Sequence, residues 1–369
     1  MKIIQSNRYK ISFFLVIFFF LIIFVDYFYA KTILLTGGVG FIGSHVAQAL
    51  LARKDRVIII DNFNDAYDQK MKEYNLSLIQ SMNNADKDLV VYCIDICDES
   101  KIEEICKKEH PDVICHLAAR AGVRTSIDDP HEYFRSNIDG TLSILEVARK
   151  CSINHVVCAS SSSVYGIRED GPFCETDSVD HQSSPYGMTK RAGELITYVY
   201  HHLFNISITN LRFFTVYGPR ARLDMSPFIF LNAIYNDKPI TVYGDGSAIR
   251  DFTYIDDIVN GIVKAIDISL GYEIINIGRG EPIVLRDFIA IIENIVQKKA
   301  YINYIANASG DVPQTHASIE KAQSLLNYTP QTSIHNGLKN MYRWYKDEYL
   351  TLMQQRNIDM SDAVVTMFE

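Results

Sequence analysis

Tyr186 and Lys190 have the residue types and the spacing that most clearly indicate chemistry in this chain. They lie four residues apart in SSPYGMTK (residues 183–190), where Ser184-Pro185 is typical of a helix start. A four-residue spacing places both side chains on one face of a helix. A phenol has an ordinary pKa of roughly 10, but positive charge nearby favours the phenolate. The pair therefore predicts a tyrosine general base that Lys190 acidifies, although two surface side chains can share this spacing by accident.

A glycine-rich turn between a predicted strand and a predicted helix, TILLTGGVGFIG (residues 32–43), indicates a dinucleotide site. The first glycine of the motif makes the tight turn, and the second lets the backbone approach a pyrophosphate. The helix start offers N–H donors and the positive end of its dipole. The alternative is a plain glycine-rich turn. The predicted cofactor site at this turn contains Gly37, Gly40, Phe41, Ile42 and Gly43.

Asp61 ends the second predicted strand, about 20 residues after the glycine-rich turn. A carboxylate there can accept both ribose hydroxyls and would repel a 2′-phosphate, which favours NAD over NADP. Asp61 could instead only cap the following turn. The fourth predicted strand ends in small residues that would let a dinucleotide lie close to the sheet, although packing alone could explain them. The predicted cofactor site therefore extends to Asp61, Asn62, Leu117, Ala118 and Ala119.

Short apolar runs alternate with amphipathic stretches over the first half of the chain after Lys31. The runs predict strands at residues 32–36, 56–60, 90–94, 113–117 and 155–159, and the amphipathic stretches predict helices at 42–53, 99–109 and 137–150. Continuous apolar strands that alternate with helices are typical of a parallel sheet covered on both faces. The predicted fold class is therefore α/β, a doubly wound parallel sheet of the Rossmann type with a smaller, interleaved C-terminal lobe.

After about residue 210 the regular alternation ends, and turn signals such as Gly218-Pro219 and Glu281-Pro282 become frequent. This part predicts a smaller, irregular lobe, and substrate pockets favour the seam between two such parts. The predicted divisions are a hydrophobic segment at 1–30, an NAD-binding domain at 31–210, a mainly substrate-binding lobe with interleaved Rossmann elements at 211–350 and a tail at 351–369.

The 369-residue chain has the composition of an ordinary globular protein, with 48% apolar and 22% charged residues. Its formal net charge of −8 argues against nucleic acid as a partner, because phosphate binding needs clustered lysine and arginine. The seven cysteines are odd in number and form no CxxC pair. Buried reduced thiols are therefore expected rather than disulfides or a metal site.

Four motifs, TGGVGFIG, HLAARAGVR, SSSVYG and YGMTK, resemble the extended short-chain dehydrogenase/reductase family. The resemblance covers essentially all of residues 31–350. It implies that Ser161, which lies three residues before the VY pair, assists proton transfer beside Tyr186 and Lys190.

The same resemblance implies contacts beyond the reactive residues. Adenine contacts are expected at Asp95 and Ile96. A homodimer is implied as well, built from the helices near residues 137–150 and 185–204.

The four serines at residues 160–163 narrow the reaction within this family. Members that dehydrate nucleotide sugars read like TDEVYG and those that decarboxylate UDP-glucuronate read like TSEVYG, whereas this chain has Ser162 and Ser163 at the acidic positions. Elimination needs one group that protonates a departing hydroxyl and another that removes a carbon-bound proton, and a hydroxyl does neither well. The resemblance therefore implies epimerisation, in which a 4-keto intermediate is reduced on its opposite face and NAD is regenerated in each turnover.

Three segments of the predicted second lobe, at residues 211–225, 242–258 and 310–317, are similar to the UDP-glucuronate 4-epimerases of this family. Arg250 and Asp311 would contact the UDP phosphates and ribose. Thr215 and Arg222 would lie on the carboxylate side of the sugar, where a guanidinium fork suits a uronate. Arg222 could instead be a solvated loop charge, and Arg124 is a further cation without an assigned role. The implied substrate site consists of Ser161, Ser162, Thr215, Arg222, Arg250 and Asp311.

Other functions stay open at this point. A UDP-glucose 4-epimerase and a UDP-glucuronate decarboxylase are the nearest alternatives to a UDP-glucuronate 4-epimerase. A catalytically silent NAD-binding membrane scaffold is an alternative of a different class, and the intact pair of Tyr186 and Lys190 argues against it.

An apolar run at residues 11–25 follows Lys2, Arg8 and Lys10 and is closed by Asp26. As a helix it would cover about 22 Å, against a hydrocarbon core of roughly 30 Å. A membrane anchor is the first interpretation, with a signal peptide and a buried core helix as alternatives. The positive flank favours export of the rest of the chain, whereas NAD and a nucleotide sugar are plentiful in the cytosol. A membrane-associated protein with a cytoplasmic catalytic domain is therefore expected on balance.

Overall fold

The computed structural model describes residues 30–306 and 312–354 of the chain. The predicted membrane segment at residues 11–25, Asp311 and most of the predicted C-terminal tail lie outside the described residues. In the described part of the chain, none of the helices combines the length and the apolar character needed to cross a bilayer.

The part of the chain that the structure describes contains thirteen strands. In chain order they are β1 Thr32–Thr36, β2 Arg56–Asp61, β3 Leu89–Cys93, β4 Val113–His116, β5 His155–Ser161, β6 Ser207–Phe213, β7 Thr215–Tyr217, β8 Pro239–Tyr243, β9 Ile249–Arg250, β10 Phe252–Tyr254, β11 Tyr272–Ile277, β12 Ile283–Val284 and β13 Tyr301–Ile305. Seven of them form one sheet in the order β11-β6-β5-β4-β1-β2-β3, in which all neighbours are parallel. The other six form three two-stranded ladders, β7 with β10, β8 with β13 and β9 with β12.

The five predicted strands are present, with differences of one or two residues at their ends. Successive residues of each strand enter two separate cores. Ile33 and Val57 belong to one core, and Leu34 and Ile58 belong to the other. A strand that is apolar throughout is therefore buried on both faces, as a parallel sheet between two helical layers requires. The predicted doubly wound α/β class is confirmed.

The helices flank the sheet and build the second lobe. They are α1 Phe41–Ala52, α2 Gln69–Gln80, α3 Ala85–Asp88, α4 Glu99–Glu109, α5 Val123–Asp128, α6 Pro130–Phe134, α7 Gly140–Lys150, α8 Pro185–Phe204, α9 Ser226–Tyr235, α10 Ile255–Asp267, α11 Leu285–Val296, α12 Glu320–Leu326, α13 Ile334–Trp344 and α14 Leu350–Gln354. A 3-10 turn at Ser162–Tyr165 links β5 to the loop before α8, and a π-helical turn at Arg135–Asp139 precedes α7. The helix predicted at residues 137–150 therefore begins as a π-helical turn.

The sheet continues beyond the first part of the chain. β6 runs across residue 210, where the predicted domain boundary lies, and the chain returns to the sheet at β11. The carboxyl ends of β1, β2, β4 and β5 meet at one edge of this parallel sheet. Ligands of open α/β sheets bind at that edge.

All seven cysteines are free thiols. Cys106, Cys115 and Cys158 are buried, whereas Cys93 is exposed at the end of β3. The expected burial therefore holds for three of the seven, and the others are at least partly accessible.

Candidate active site

The glycine-rich turn after β1 packs closely against the loop after β4. A Cβ atom added at Gly37, whose φ of +69° is positive, would lie 2.8 Å from Ala118 N, and one added at Gly43 would lie 2.1 Å from Gly37 O. Both positions therefore require glycine. Leu117 and Ala119 flank the contact and are half-buried. The turn leads into α1, whose first N–H groups have no partner within the helix, so this backbone fits the pyrophosphate of a dinucleotide.

Asp61 is buried at the end of β2, the strand next to β1. Its Oδ1 accepts a hydrogen bond from Phe63 N at 2.9 Å, and its Oδ2 lies 3.4 Å from Val39 N. The turn-capping contact is thus present, and Oδ2 is only weakly engaged. Lys72 Nζ lies 3.1 Å from Asp61 Oδ1, a contact that sequence reasoning missed because no local pattern signals it.

Asn62 and Asp95 lie together where the adenine is expected. Asn62 Nδ2 donates to Asp95 Oδ2 at 3.0 Å. Burial alone would raise the pKa of Asp95, but hydrogen bonds from Cys97 N–H, Asn62 and Arg135 outweigh it and lower the pKa. Ile96 is buried beside this carboxylate. The edge from the glycine-rich turn to Asp95 therefore has the donors and acceptors that the adenosine half of NAD requires.

Tyr186 is held in the first turn of α8. Ser184 Oγ accepts from Gly187 N at 3.1 Å and caps the helix, and Pro185 occupies its first position. Tyr186 N donates to Ser126 Oγ at 3.1 Å, which ties the helix start to α5. The main chain of the reactive residue is therefore fixed from two sides.

Ser161 ends β5, and its hydroxyl lies near enough to the phenol of Tyr186 to act against the raised pKa of that phenol. Ser163 N donates to Ser161 Oγ at 3.1 Å, so the serine oxygen already accepts a hydrogen bond. The hydroxyl hydrogen of Ser161 is then available to the phenol oxygen, and a hydrogen bond donated to that oxygen stabilises the phenolate. The structure thus brings the predicted residues Ser161 and Tyr186 together at the end of β5 and the start of α8.

The groups of the protein raise the pKa of Tyr186 rather than lower it. Burial is the largest cause, and the hydrogen bond from Ser161 and the positive charge of Arg222 oppose it without outweighing it. The sequence-based expectation attributed the lowering to Lys190. In the structure the opposing effect comes from Ser161 and Arg222 instead, because these are the groups that reach the phenol.

Lys190 follows Tyr186 by one helical turn. Its Nζ donates to Ala159 O at 2.9 Å, which holds the ammonium at the end of β5. Burial is the main cause that lowers the pKa of Lys190 to about 8, and the electrostatic effects of Cys158 and Glu194 oppose it. The ammonium form therefore predominates at neutral pH, by a small margin.

The serines at residues 160–163 lie partly in the core and partly at the site. Ser160 Oγ donates to Glu194 Oε1 at 2.7 Å, inside a buried cluster in which Glu194 also pairs with Arg212. Ser162 and Ser163 are half-buried at the start of the 3-10 turn, beside the end of β5. The first serine therefore supports the fold, and the later ones border the site.

Arg222 follows β7 and lies close to the reactive phenol. Its side chain is 17% exposed. Nη1 donates to Ala121 O at 2.7 Å, and Nε and Nη2 fork onto the two oxygens of Asp224. The alternative of a solvated loop charge is therefore wrong, because the guanidinium is largely buried, paired with a carboxylate and near enough to Tyr186 to affect its pKa.

The remaining predicted substrate residues belong to the second lobe. Thr215 begins β7, and Arg250 lies in β9, which pairs with β12. Arg124, which had no assigned role, places its guanidinium carbon 4.0 Å from the centroid of the Tyr243 ring. This cation–π contact joins α5 to the end of β8. Asp311 is not among the described residues.

Sequence comparisons agree with this geometry. The chain matches the profile of the NAD dependent epimerase/dehydratase family over residues 33–278. A UDP-glucuronate 4-epimerase from Thermodesulfobacterium geofontis is 44% identical over 315 residues, which cover 85% of this chain and 96% of that relative. UDP-glucuronate 4-epimerase 1 from Arabidopsis thaliana is 40% identical over 339 residues, which cover 86% of this chain and 77% of that relative.

Solved structures give the same result. The UDP-glucuronic acid 4-epimerase of Bacillus cereus, in complex with UDP-glucuronic acid and NAD, has a TM-score of 0.79 and 38% identity, covering 85% of this chain and 99% of that one. The UDP-glucose 4-epimerase of Thermotoga maritima with UDP-glucose has a TM-score of 0.78 and 28% identity, covering 86% and 99%. The resemblance carried by the motifs is therefore confirmed, and the chain belongs to the NAD dependent epimerase/dehydratase family.

Proposed function

We propose that this protein interconverts UDP-glucuronate and UDP-galacturonate by transient oxidation at C4 of the sugar with bound NAD. The observation that carries the proposal is that Ser161 and the guanidinium of Arg222 both lie near enough to Tyr186 to act on the pKa of its phenol. A proton acceptor for the 4-hydroxyl and a cation for the uronate carboxylate thus lie together. The 44% identity to a UDP-glucuronate 4-epimerase supports the same substrate.

We assign each residue of the site a separate role in the reaction. NAD, when bound, supplies a reversible hydride acceptor beside C4. Tyr186 takes the proton of the 4-hydroxyl during oxidation and returns it during reduction. Ser161 donates a hydrogen bond to the phenolate, and Lys190 offers its ammonium to the ribose next to the reactive ring. Turning of the sugar between the two steps inverts C4.

The same residues favour reduction over loss of CO₂. A 4-keto glucuronate is a β-keto acid, which loses CO₂ readily when its C5–C6 bond aligns with the carbonyl π system. We assign Arg222 the role of holding the carboxylate out of that alignment. Ser162 and Ser163 carry hydroxyls where decarboxylating or dehydrating relatives carry an acid, so neither position assists elimination.

Product analysis by NMR after incubation of the purified protein with UDP-glucuronate tests the proposal. UDP-galacturonate is the expected product. Release of CO₂ with a UDP-pentose would identify a decarboxylase, and faster turnover of UDP-glucose than of UDP-glucuronate would identify the neutral-sugar epimerase. A protein that binds NAD and converts neither sugar would be the silent scaffold.

Replacing Arg222 with alanine is expected to lower kcat/KM for UDP-glucuronate by about 100-fold and that for UDP-glucose by less than about 10-fold. The larger loss reflects the missing contact with the carboxylate. The smaller loss, common to both sugars, reflects the missing positive charge, because the pKa of Tyr186 rises further without it. Steady-state kinetics with both sugars measure the difference.

Arg53→Ala is the matched control for this experiment. Arg53 also forks onto an aspartate, with Nη1 and Nη2 at 2.7 and 2.8 Å from the two oxygens of Asp267, but it lies just after α1, at the opposite edge of the sheet. Its replacement is expected to leave kcat/KM for UDP-glucuronate and for UDP-glucose within about 2-fold of the wild-type values. Equal losses for the two sugars in Arg222→Ala would contradict the assignment of Arg222 to the carboxylate.

The rate is expected to fall as the pH rises through about 8. Burial lowers the pKa of Lys190 to about 8, so the ammonium is present below this pH and lost above it. Tyr186 has a raised pKa and acts in the opposite direction, because more phenolate forms as the pH rises. A fall in kcat at alkaline pH therefore reports the deprotonation of Lys190.

The Lys190→Arg variant tests this assignment, because its guanidinium stays protonated. Even if its kcat is low, that kcat should not fall as the pH rises through about 8. A wild-type profile without an alkaline fall would contradict the assignment.

We also propose a homodimer through the outer faces of α7 and α8. Large apolar side chains that are at least 42% exposed on these faces are Leu142, Leu195, Tyr198, Val199, Leu203 and Phe204. Apolar surface of this kind marks an interaction site when it is contiguous. Sedimentation equilibrium is expected to give twice the mass of one chain, and Leu203→Glu is expected to give a monomer. A wild-type monomer at micromolar concentration would rule out the dimer.

A further inference from the structure

Lys72 is a buried lysine beside the cofactor edge of the sheet. It lies in the first part of α2, which Asp68 caps by accepting from Met71 N at 2.8 Å. Its side chain is 6% exposed, and burial of an ammonium is costly unless the charge is paired. Lys72 Nζ lies 3.1 Å from Asp61 Oδ1 and 3.3 Å from Asn64 Oδ1.

The pair engages the two oxygens of Asp61 unequally. Oδ1 accepts from Lys72 Nζ and from Phe63 N, whereas Oδ2 has only a long contact of 3.4 Å to Val39 N. An ammonium has three hydrogens, and within residues 30–306 and 312–354 two acceptors receive them. One carboxylate oxygen and one ammonium hydrogen therefore remain available to a ligand at the end of β2.

A buried ion pair is weak evidence for stability, because well-packed apolar side chains often serve a fold as well or better. This pair lies at the end of the second strand, where the ribose of a dinucleotide binds in this fold. A role toward the cofactor would explain why both charges lie at that place.

We propose that Lys72 sets the cofactor specificity of the site together with Asp61. Lys72 holds the carboxylate so that its second oxygen receives the hydroxyls of the adenosine ribose, and it is a latent binding group for a 2′-phosphate. The inference rests on the proposed location of the ribose at Asp61.

The two charges act on a 2′-phosphate in opposite directions. Asp61 repels the phosphate and accepts the free hydroxyls of NAD, whereas Lys72 attracts it but is occupied by the carboxylate. Asp61→Asn removes the repulsion between the carboxylate and the 2′-phosphate with little change in side-chain size. The ammonium of Lys72 then has no anionic partner and can bind a phosphate oxygen of NADP. The cofactor preference should therefore change only while Lys72 is present.

Four full-length proteins separate this role from a purely structural one: the wild type, Lys72→Met, Asp61→Asn and the double variant. Calorimetric titration of the nucleotide-stripped proteins with NAD and NADP measures both dissociation constants without reference to catalysis. Lys72→Met is expected to weaken NAD binding about 10-fold or more. Asp61→Asn is expected to tighten NADP binding about 10-fold relative to the wild type, and the double variant is expected to lose that gain.

Equal NADP affinity in Asp61→Asn and the double variant would overturn the proposal, as would unchanged NAD affinity in Lys72→Met. If circular dichroism shows that Lys72→Met does not fold, the comparison of Asp61→Asn with the double variant still decides, because neither buries a lone carboxylate and the ammonium in Asp61→Asn keeps Asn64 Oδ1 as an acceptor. Lys72→Arg keeps the charge and should bind NAD within about 3-fold of the wild type. A wild-type protein that binds NAD but makes no UDP-galacturonate would end the proposed function and leave this inference intact.

Discussion

Replacing Tyr186 with phenylalanine is expected to lower kcat for UDP-glucuronate by about 1,000-fold, while the protein keeps its fold and its NAD. Phenylalanine retains the ring, which packs edge-on against Tyr133 with ring centroids 6.2 Å apart. It lacks the oxygen that would accept the proton of the 4-hydroxyl. The loss should therefore fall on the chemical step and not on binding.

The assay combines product formation, measured by NMR, with the NAD content of the protein after denaturation. Tyr165→Phe is the matched control, because Tyr165 closely follows the serine run that contains Ser161 but donates its hydroxyl to Asn276 Oδ1 at 2.7 Å in the core. That variant should lose about 1–3 kcal/mol of stability and keep kcat within about 3-fold. A Tyr186→Phe variant that works at nearly the wild-type rate would remove the tyrosine from the role of base.

Sequence reasoning found the parts of the fold and site that depend on short local patterns. The strands show as continuous apolar runs, and the turn from Gly37 to Gly43 needs only a few adjacent residues to be recognised. The start of α8 is signalled by Ser184-Pro185 in the same way. β11 gave no such signal, because its first three residues are only half-buried at the edge of the sheet and do not form a continuous buried run.

The electrostatics of the site could not be predicted in this way. The cation that opposes the raised pKa of Tyr186 is Arg222, which belongs to the second lobe, and not the helical neighbour Lys190. Lys72 likewise resembles a surface lysine of an amphipathic helix until the packing of α2 carries it to Asp61. The distance between two charges on separate elements depends on how those elements pack. It cannot be read from a single sequence without the fold.

Replacing Glu194 with alanine is expected to destabilise the fold by about 3–5 kcal/mol. The side chains of Glu194 and Arg212 are 0% and 1% exposed. Arg212 Nε and Nη2 donate to the two oxygens of Glu194 at 2.8 and 2.9 Å. Ser160 and Arg191 donate to the same carboxylate at 2.7 and 3.1 Å. Alanine leaves the guanidinium of Arg212 buried in the core without its counter-charge.

Glu194→Ala should also change the pH dependence of kcat. Glu194 follows Lys190 by one helical turn, and its charge raises the pKa of Lys190 against the larger effect of burial. Without Glu194 the pKa of Lys190 should drop further. The alkaline fall of kcat should then move to lower pH in the fraction of protein that is folded.

Urea unfolding of Glu194→Ala and of the double variant Glu194→Met/Arg212→Met distinguishes a lone buried charge from lost contacts. Two apolar side chains can replace a neutralised pair, so the double variant should recover most of the stability. Glu281→Ala is the control, because Glu281 pairs with Arg279 at the surface, is 73% exposed and should contribute less than about 1 kcal/mol. If the double variant were no more stable than Glu194→Ala, the lone guanidinium would not be the cause of the lost stability. The lost contacts of the Glu194–Arg212 pair would then be the cause.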